Sequence, residues 1–344
     1  MRFCVRNGKN AITVTVVSSK HGFLEVLFFI LFGSASLSAG SLAIQGSVGT
    51  LFDSNIEHLS IVDFLTMGKR YGFFIRNSAG FDYSFGNSET VSTGMFLFSE
   101  TGLDVPEKSR LQEMVSLSWR PTIRGDLDLD ITMLAHHAAE NYLRLRNMFL
   151  DFFLMADLFW DITHLHALSG AMRGGYFIGF DEEMQYLTGP ALGLEAGYWY
   201  YPTKRADYLK SGVGIEGYFF RPEELSSCTE TLTVHNRSLK VYLLFEGKAV
   251  LSPIFFKGNL RYAYLVWLES DRLNAWHKRR QEHIPSLSAQ ISWHISEHFD
   301  LAVIYTYRYI FSNFGRDPND YVNYTMDRHT LLLEFTARYE GKTP

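Results

Sequence analysis

The residues best suited to chemistry are three aspartates that occur at every second position, Asp126, Asp128 and Asp130. Leucine and isoleucine fill the positions between and after them. Successive side chains of a β-strand point to opposite faces, so this segment would carry one acidic face and one apolar face. Carboxylates are unstable in hydrocarbon and need water, whereas the apolar face needs lipid or a protein core. The pattern predicts a strand with one solvated, acidic face and one apolar face that is covered by lipid or by a protein core.

Charged residues at corresponding positions of other predicted strands extend this solvated face with charges of both signs. The candidates for lining a lumen and setting its selectivity are Arg120, Asp126, Asp128, Asp130, Lys240, Glu246, Lys248, Arg261, Arg308 and Glu334. Five more charged residues are predicted on the same inner face: Asp151, Asp157, Glu195, Glu216 and Arg338. Such residues predict a water-filled lumen whose walls set the preference for ions and solutes. The alternative is a plug of salt-bridged side chains that closes a narrow barrel.

A basic cluster, Lys278, Arg279 and Arg280, lies between two histidines in a segment predicted to form an external loop over 270–284. Arginine and lysine bind phosphate groups, so this loop is predicted to contact anions such as lipid phosphates. A solvated loop face without a ligand is the alternative.

Two pairs of histidines could suggest a metal-binding site. His136 and His137 are predicted at a loop end, and His164 and His166 in a connection. Neither pair has the carboxylate or cysteine spacing of a zinc site. The sequence contains no G-x-S-x-G and no H-E-x-x-H motif. We therefore expect no metal, no cofactor and no enzyme activity, with an enzyme at the barrel rim as the less favoured alternative.

The composition argues against two broad classes of protein. The formal net charge is −5 and the pI is about 6.2, so we do not expect a nucleic-acid-binding protein. Cys4 and Cys228 are the two cysteines, and only Cys228 would remain after the processing described next, so no disulfide framework is expected. Aromatic residues make up 15% of the chain. Tyrosine and tryptophan collect at membrane interfaces because their rings are apolar and their tips polar.

Residues 1–38 are predicted to be a signal peptide that is removed on export, leaving a barrel at 39–344. Four basic residues precede an apolar run at 23–32, and small residues follow it at 34–40. The run is about half of the roughly 20 residues that a membrane-spanning helix needs. Glu25 interrupts the run, and a buried helix is the alternative.

The elements that must position the charged residues are strands of period two. Residues 287–295, 301–311 and 331–339 each alternate apolar and polar side chains, with aromatic residues near the strand ends. We interpret 69–85 as one long strand, although a hairpin also fits. Residues 148–160 fit either an amphipathic helix or a buried strand, and we favour the strand. The predicted fold class is all-β, a closed antiparallel transmembrane β-barrel of about fourteen strands, with a range of about 12–16.

Short predicted connections alternate with long polar ones. The short ones are 120–125, 251–253 and 296–298, and the long ones are 99–109, 221–236, 270–284 and 313–325. Outer-membrane barrels have short turns on the periplasmic side and long loops outside, and their strand number is even. The chain after residue 38 therefore resembles the outer-membrane β-barrel superfamily of diderm bacteria, by its general pattern and without a family motif.

The resemblance implies a bacterial outer-membrane location, with outer-membrane lipids and the barrel assembly machinery as partners. Members usually end on an aromatic residue that the assembly machinery recognises, and the equivalent here is Tyr339, before a short extension. The implied function is passive passage of small solutes or ions through the lumen. A surface-exposed adhesin or structural barrel is the functional alternative, and a soluble β-sandwich or propeller is the alternative fold.

Overall fold

The computed structural model describes residues 2–7, 10–15, 40–54, 71–85, 90–104, 106–140, 146–180, 188–203, 206–221, 223–226, 231–234, 237–270, 279–312 and 326–343. The predicted signal peptide falls largely outside these ranges. Within it, β1 (Arg2–Asn7) pairs with β2 (Asn10–Thr15) as an antiparallel hairpin. The predicted cleavage site lies outside the described residues, so its processing stays a prediction.

Nearly all of the described chain after residue 39 is β-strand. The strands are β3 (Gly40–Asp53), β4 (Gly72–Phe85), β5 (Val91–Gly102), β6 (Arg110–Trp119), β7 (Thr122–Arg124), β8 (Leu127–Glu140), β9 (Arg146–Asp161), β10 (His166–Gly179), β11 (Gly189–Tyr200), β12 (Tyr208–Phe219), β13 (Glu223–Ser226), β14 (Thr231–Val234), β15 (Arg237–Leu251), β16 (Ile254–Ser270), β17 (Arg279–Ser296), β18 (Phe299–Ser312) and β19 (Met326–Thr343). A single 3-10 turn covers Pro106–Lys108. No helix long and apolar enough to cross a membrane occurs among these residues.

The long strands close into one ring. Neighbours in the ring follow chain order, and β19 pairs with β3 from Thr330 opposite Asp53 to Thr343 opposite Gly40. β6 pairs with β8, and the short β7 continues along β8 beyond the end of β6, so β6 and β7 occupy one strand position. Fourteen antiparallel positions result. The predicted closed barrel of about fourteen strands is confirmed.

Two segments of ambiguous pattern are continuous strands. β4 runs unbroken through the polar stretch that could have been a hairpin turn. β9 covers the segment that fitted either helix or strand, and it pairs along its length with both β8 and β10. Phe152, Leu154 and Leu158, at even-numbered positions, are exposed, while Asp151 on the opposite face is buried. The strand interpretation of 148–160 is therefore confirmed.

The outer face of the ring is mostly apolar. Val48 is 50% exposed, Leu192 is 60% exposed and Phe245 is 55% exposed, and each alternates with residues of the inner face. Such a wide apolar surface is unstable in water and is expected to face lipid. Exposed tryptophans lie where strands end, as at Trp119 and Trp160, which is the position of an aromatic girdle.

Connections at one end of the ring are mostly shorter than those at the other, and we call these ends the turn end and the loop end. The turn end holds 86–90, 125–126, 162–165, 201–207, 252–253 and 297–298, and the loop end holds 54–71, 103–109, 141–145, 180–188, 220–236, 271–278 and 313–325. The hairpin of β13 and β14 falls within 220–236.

Two predicted loops were too long. β5 continues to Gly102 and β17 begins at Arg279, so parts of 99–109 and 270–284 are strand. These segments are polar because their side chains lie at the strand ends, whereas their backbone still has ladder partners, as Glu100 has in Arg76. Polarity alone therefore overestimated the length of these two loops.

A candidate functional site in the barrel lumen

The inner face of the ring carries eight of the ten predicted selectivity residues. They occupy strand positions that alternate with the exposed apolar residues: Asp128, Asp130, Lys240, Glu246, Lys248, Arg261, Arg308 and Glu334. Arg120 and Asp126 lie outside the strands, at the turn end. Glu334 stands apart from the other seven on β19, where Ser47 Oγ donates a hydrogen bond to its Oε1 at 2.8 Å.

The three aspartates of β8 and its preceding turn, which we call the aspartate column, lie near the turn-end rim. Asp130 Oδ2 accepts a hydrogen bond from Arg120 Nε at 2.7 Å, and Asp128 is exposed. Asp126 lies in the turn, where its Oδ2 accepts a hydrogen bond from Trp160 Nε1 at 3.2 Å. Trp160 belongs to the outer face, so Asp126 is a rim residue and not part of the strand wall that the alternation predicted.

A second charged region spans β11, β12, β15 and β16. Glu216 accepts hydrogen bonds from Lys240 Nζ, from Arg261 Nη2 at 3.1 Å and from Tyr218 Oη at 2.9 Å. All four side chains are partly buried. A carboxylate with three donors has little capacity left for a further cation, and because it faces two cations the group keeps a net positive charge.

Gly214 explains how an aromatic ring joins this region. Gly214 lies directly opposite Tyr242, and a Cβ at Gly214 would fall 2.3 Å from Tyr242 Cζ. The Tyr242 ring fits because glycine has no side chain. Tyr242 Oη donates a hydrogen bond to Glu195 Oε2 at 2.7 Å. Lys210 Nζ lies 2.7 Å from the other oxygen of Glu195, and the Arg261 guanidinium lies 3.9 Å from the centre of the Tyr242 ring. Sequence analysis missed Tyr242 as a lumen residue. The feature that could have identified it is a glycine-rich strand next to a strand with aromatic residues.

Glu246 and Lys248 lie closer to the turn end of β15. Glu246 accepts a hydrogen bond from Tyr208 Oη and lies 3.2 Å from Lys257 Nζ. Lys248 Nζ lies 5.5 Å from the centre of the Phe255 ring. Both predicted residues therefore face neighbours across adjacent strands on the inner side of the ring.

The third charged region crosses β16 to β19 at one level of the barrel. Arg261 lies opposite Ser286, Ser286 opposite Arg308, and Arg308 opposite Arg328. We call Arg261, Arg308 and Arg328 the arginine row. Arg328 Nε donates to both carboxylate oxygens of Asp53, at 3.1 and 3.0 Å, and Asp53 is 2% exposed. Sequence analysis identified Arg261 and Arg308 but missed Arg328 and its partner.

The lumen is not charged throughout. Leu51, Phe74 and Leu332 form a buried cluster on inner positions of β3, β4 and β19, with Ile304 of β18 packed against it. A second inner cluster combines Tyr242, Ala263 and Ile284. At these inner positions, apolar side chains pack against each other, so the charged residues occupy only part of the inner wall.

Two residues of the basic cluster, Arg279 and Arg280, lie in a strand and not in the external loop that the sequence suggested. Lys278 lies outside the described residues, and Arg279 is the first residue of β17. Arg280 is within the strand, where its Nη2 lies 2.6 Å from Glu282 Oε1 and its guanidinium 4.3 Å from the centre of the Trp267 ring. Trp267 and Glu282 contact Arg280 at the inner face, and the contact of this cluster with anions stays a prediction.

The histidines also differ from their predicted placement. His136 and His137 belong to β8 rather than to a loop end, and His166 is the first residue of β10. His136 Nδ1 lies 3.0 Å from Asp151 Oδ2, and His137 Nδ1 lies 3.2 Å from a glutamate oxygen on β6. The described residues contain no group of three or more metal-binding side chains that could hold an ion.

Solved structures of outer-membrane porins resemble this chain in fold. The anion-selective porin from Comamonas acidovorans is 6% identical, with a TM-score of 0.46 over 88% of this chain and 100% of the porin. OmpF from Salmonella typhi, in complex with daunomycin, is 10% identical, with a TM-score of 0.47 over 87% of this chain and 97% of OmpF. OprD from Pseudomonas aeruginosa is 9% identical, with a TM-score of 0.41 over 88% of this chain and 96% of OprD.

No family model matches the sequence, and no curated protein matches it. The likeness to the porins carries no argument about solute or selectivity at these scores. The assignment as a barrel therefore rests on the strand pairing described above, which has the even strand number, apolar outer face and alternating connections of outer-membrane barrels.

Proposed function

We propose that the protein is an outer-membrane channel through which small solutes or ions pass passively. The observation that carries this proposal is a closed fourteen-strand ring with an apolar outer face and exposed charged residues, such as Asp128 and Arg308, on its inner face. About eight strands already give an interior that side chains just fill, so fourteen leave room for water. A water-filled lumen is also the environment that these charges need.

Orientation follows from the same architecture. In bacterial barrels the short turns face the periplasm and the long loops face outside. We assign the turn end to the periplasm, which also places Tyr339 near the periplasmic rim, where the assembly machinery would meet it. Outer-membrane lipids would cover the apolar outer face. Export by a signal peptide at 1–38 belongs to this proposal, as does the absence of enzyme activity.

The test is single-channel recording from the refolded protein in a planar bilayer. We expect discrete current steps, because a lumen with water along its length conducts ions. Heat-modifiable migration on a gel, together with a β-rich circular dichroism spectrum, shows that the protein added is a folded barrel. A folded barrel that gives no current steps would contradict the proposal and favour the structural or adhesin alternative.

A further inference from the structure

We infer that the lumen holds a binding site for a small oxyanion, a carboxylate or a phosphate, centred on Arg308 of the arginine row. This inference deepens the proposed function by naming the class of solute that the channel favours. It rests on that function only in that the lumen must be open to solute from at least one end.

Arg308 differs from the other two arginines in its pairing. Arg261 lies 3.1 Å from Glu216, and Arg328 is paired with Asp53. Arg308 makes no ion pair within the part of the chain that the structure describes, and it is exposed to solvent on the inner face. An exposed guanidinium without a carboxylate partner, on the inner wall of a channel, is available to a passing anion.

The charges around Arg308 leave a local excess of positive charge. The groups that act on it are Arg328 and Arg261, which are cationic, and Glu282, which is anionic. Glu282 is itself held by Arg280 at 2.6 Å. Neighbouring strands are about 4.8 Å apart, so Arg308 and Arg328, directly opposite each other, are like charges at close range. A bound anion would relieve this repulsion.

A row of hydroxyl groups borders the arginine row on its turn-end side. Ser288 lies opposite Thr306, and Thr306 lies opposite Thr330. These residues occupy the next inner positions after Ser286, Arg308 and Arg328 on their strands. Hydroxyl groups donate hydrogen bonds to oxyanions, so they supply neutral donors beside the guanidinium groups.

An apolar row borders the arginine row on its loop-end side. Ala263 is 3% exposed, Ile284 is 7% exposed and Met326 is 7% exposed, and Ile310 packs beside Ile284. These side chains exclude water from one side of the arginines. Electrostatic attraction is stronger where water is excluded, so an anion would be held more firmly here than at the exposed rim.

The donor set decides the chemical class of the ligand. Guanidinium groups donate hydrogen bonds and accept none, so a cation has no ligand at Arg308. Their planar fork matches the two oxygens of a carboxylate or phosphate. Chloride would be attracted by the same charge but has one acceptor atom, so it cannot form the two parallel N–H···O bonds that an oxyanion forms. We therefore expect oxyanions to bind more tightly than chloride.

The experiment is calorimetric titration of the refolded barrel in detergent with inorganic phosphate and, separately, with acetate. We expect saturable binding of both by the wild type. Arg308→Gln should weaken phosphate binding about tenfold or more, the value of one charge-assisted contact. The matched control is Arg173→Gln, which removes an exposed lumen arginine that acts on Asp157 and Glu195 instead. Its phosphate affinity should stay within about twofold of wild type.

Binding in detergent requires an accessible site but no continuous path, so it separates this inference from the channel proposal. Phosphate binding that depends on Arg308 in a barrel without conductance would support the site and contradict the channel. Current steps from a wild type that shows no saturable oxyanion binding would support the channel and contradict the site. Equal loss of binding in both variants would overturn the inference, since only net charge would then matter.

Discussion

The arginine row and the aspartate column are both charged features of the inner wall, but they are built differently. The aspartate column follows one chain segment at the turn-end rim, with Asp128 exposed and Asp130 paired with an exposed Arg120. The arginine row crosses four strands inside the barrel, and Arg328 is anchored on a buried Asp53. The aspartate column is solvated, whereas the arginine row is partly buried at Arg261 and Arg328 and exposed at Arg308.

The difference determines what each feature is able to do. Charges at a wet rim are screened by salt within about 10 Å at 0.1 M ionic strength. Charges beside buried apolar side chains are screened less, and removing one partner of such a pair costs more than at an exposed site. We therefore assign the main influence on solute preference to the arginine row, and a weaker one to the aspartate column.

The largest expected effect is a difference in unfolding free energy between variants of the arginine row and variants of the aspartate column. Arg328→Ala should destabilise the barrel by roughly 3–5 kcal/mol, because it leaves the Asp53 carboxylate buried without its cation. Arg120→Ala removes a partner from the more exposed Asp130 and should cost less than about 1 kcal/mol. Guanidinium unfolding in lipid vesicles, followed by tryptophan fluorescence, measures both. Equal losses would mean that the arginine row is not the packed region.

The second effect tests which side of β17 faces the lumen beside the arginine row. Leu287 is exposed on the outer face and Ser288 lies on the inner face. Leu287→Arg should cost roughly 2–4 kcal/mol, since it places a charge in the lipid-facing band. Ser288→Arg should cost much less, because its side chain reaches water. The same unfolding assay measures both variants. A larger loss of stability for Ser288→Arg would mean that the inner and outer faces of β17 are assigned the wrong way round.

The third effect tests how far the arginine row depends on packing. Gly214→Ala should force Tyr242 away from Glu195 and from Arg261, at a cost of about 1–3 kcal/mol for an overpacked site. Gly258→Ala is the matched control, because a Cβ there meets no atom within 4 Å. Its stability should change by less than about 0.5 kcal/mol. If the two variants are equally stable, Tyr242 is not held by the absence of a side chain at Gly214.

The smallest effect concerns the aspartate column. Asp128→Asn should move ion selectivity slightly toward anions at about 0.1 M salt, and this shift should vanish near 1 M, where the screening length is about 3 Å. Zero-current potentials in bilayers at the two salt concentrations measure it. A shift that persists at high salt would show that the aspartate column is shielded from bulk water.

The two regions also show what could be predicted from the sequence. The aspartate column repeats at every second residue of one strand, so its shared face was visible along the chain, as were the strands and the barrel itself. The arginine row brings together residues from 261 to 328, and only the registers of three strand pairs align them. Register depends on cross-strand packing and turn geometry, which no single segment encodes. Arg328 was missed for that reason, and Asp126 was misplaced because a turn interrupts the alternation.

The most direct test of the whole account is the zero-current potential of single channels in a KCl gradient, for wild type, Arg308→Gln and Asp128→Asn. We predict discrete current steps for all three. Arg308→Gln should shift the potential toward cation preference by more than Asp128→Asn shifts it toward anion preference. A folded wild-type barrel without current steps would contradict the channel, and a larger shift for Asp128→Asn would contradict the dominance of the arginine row.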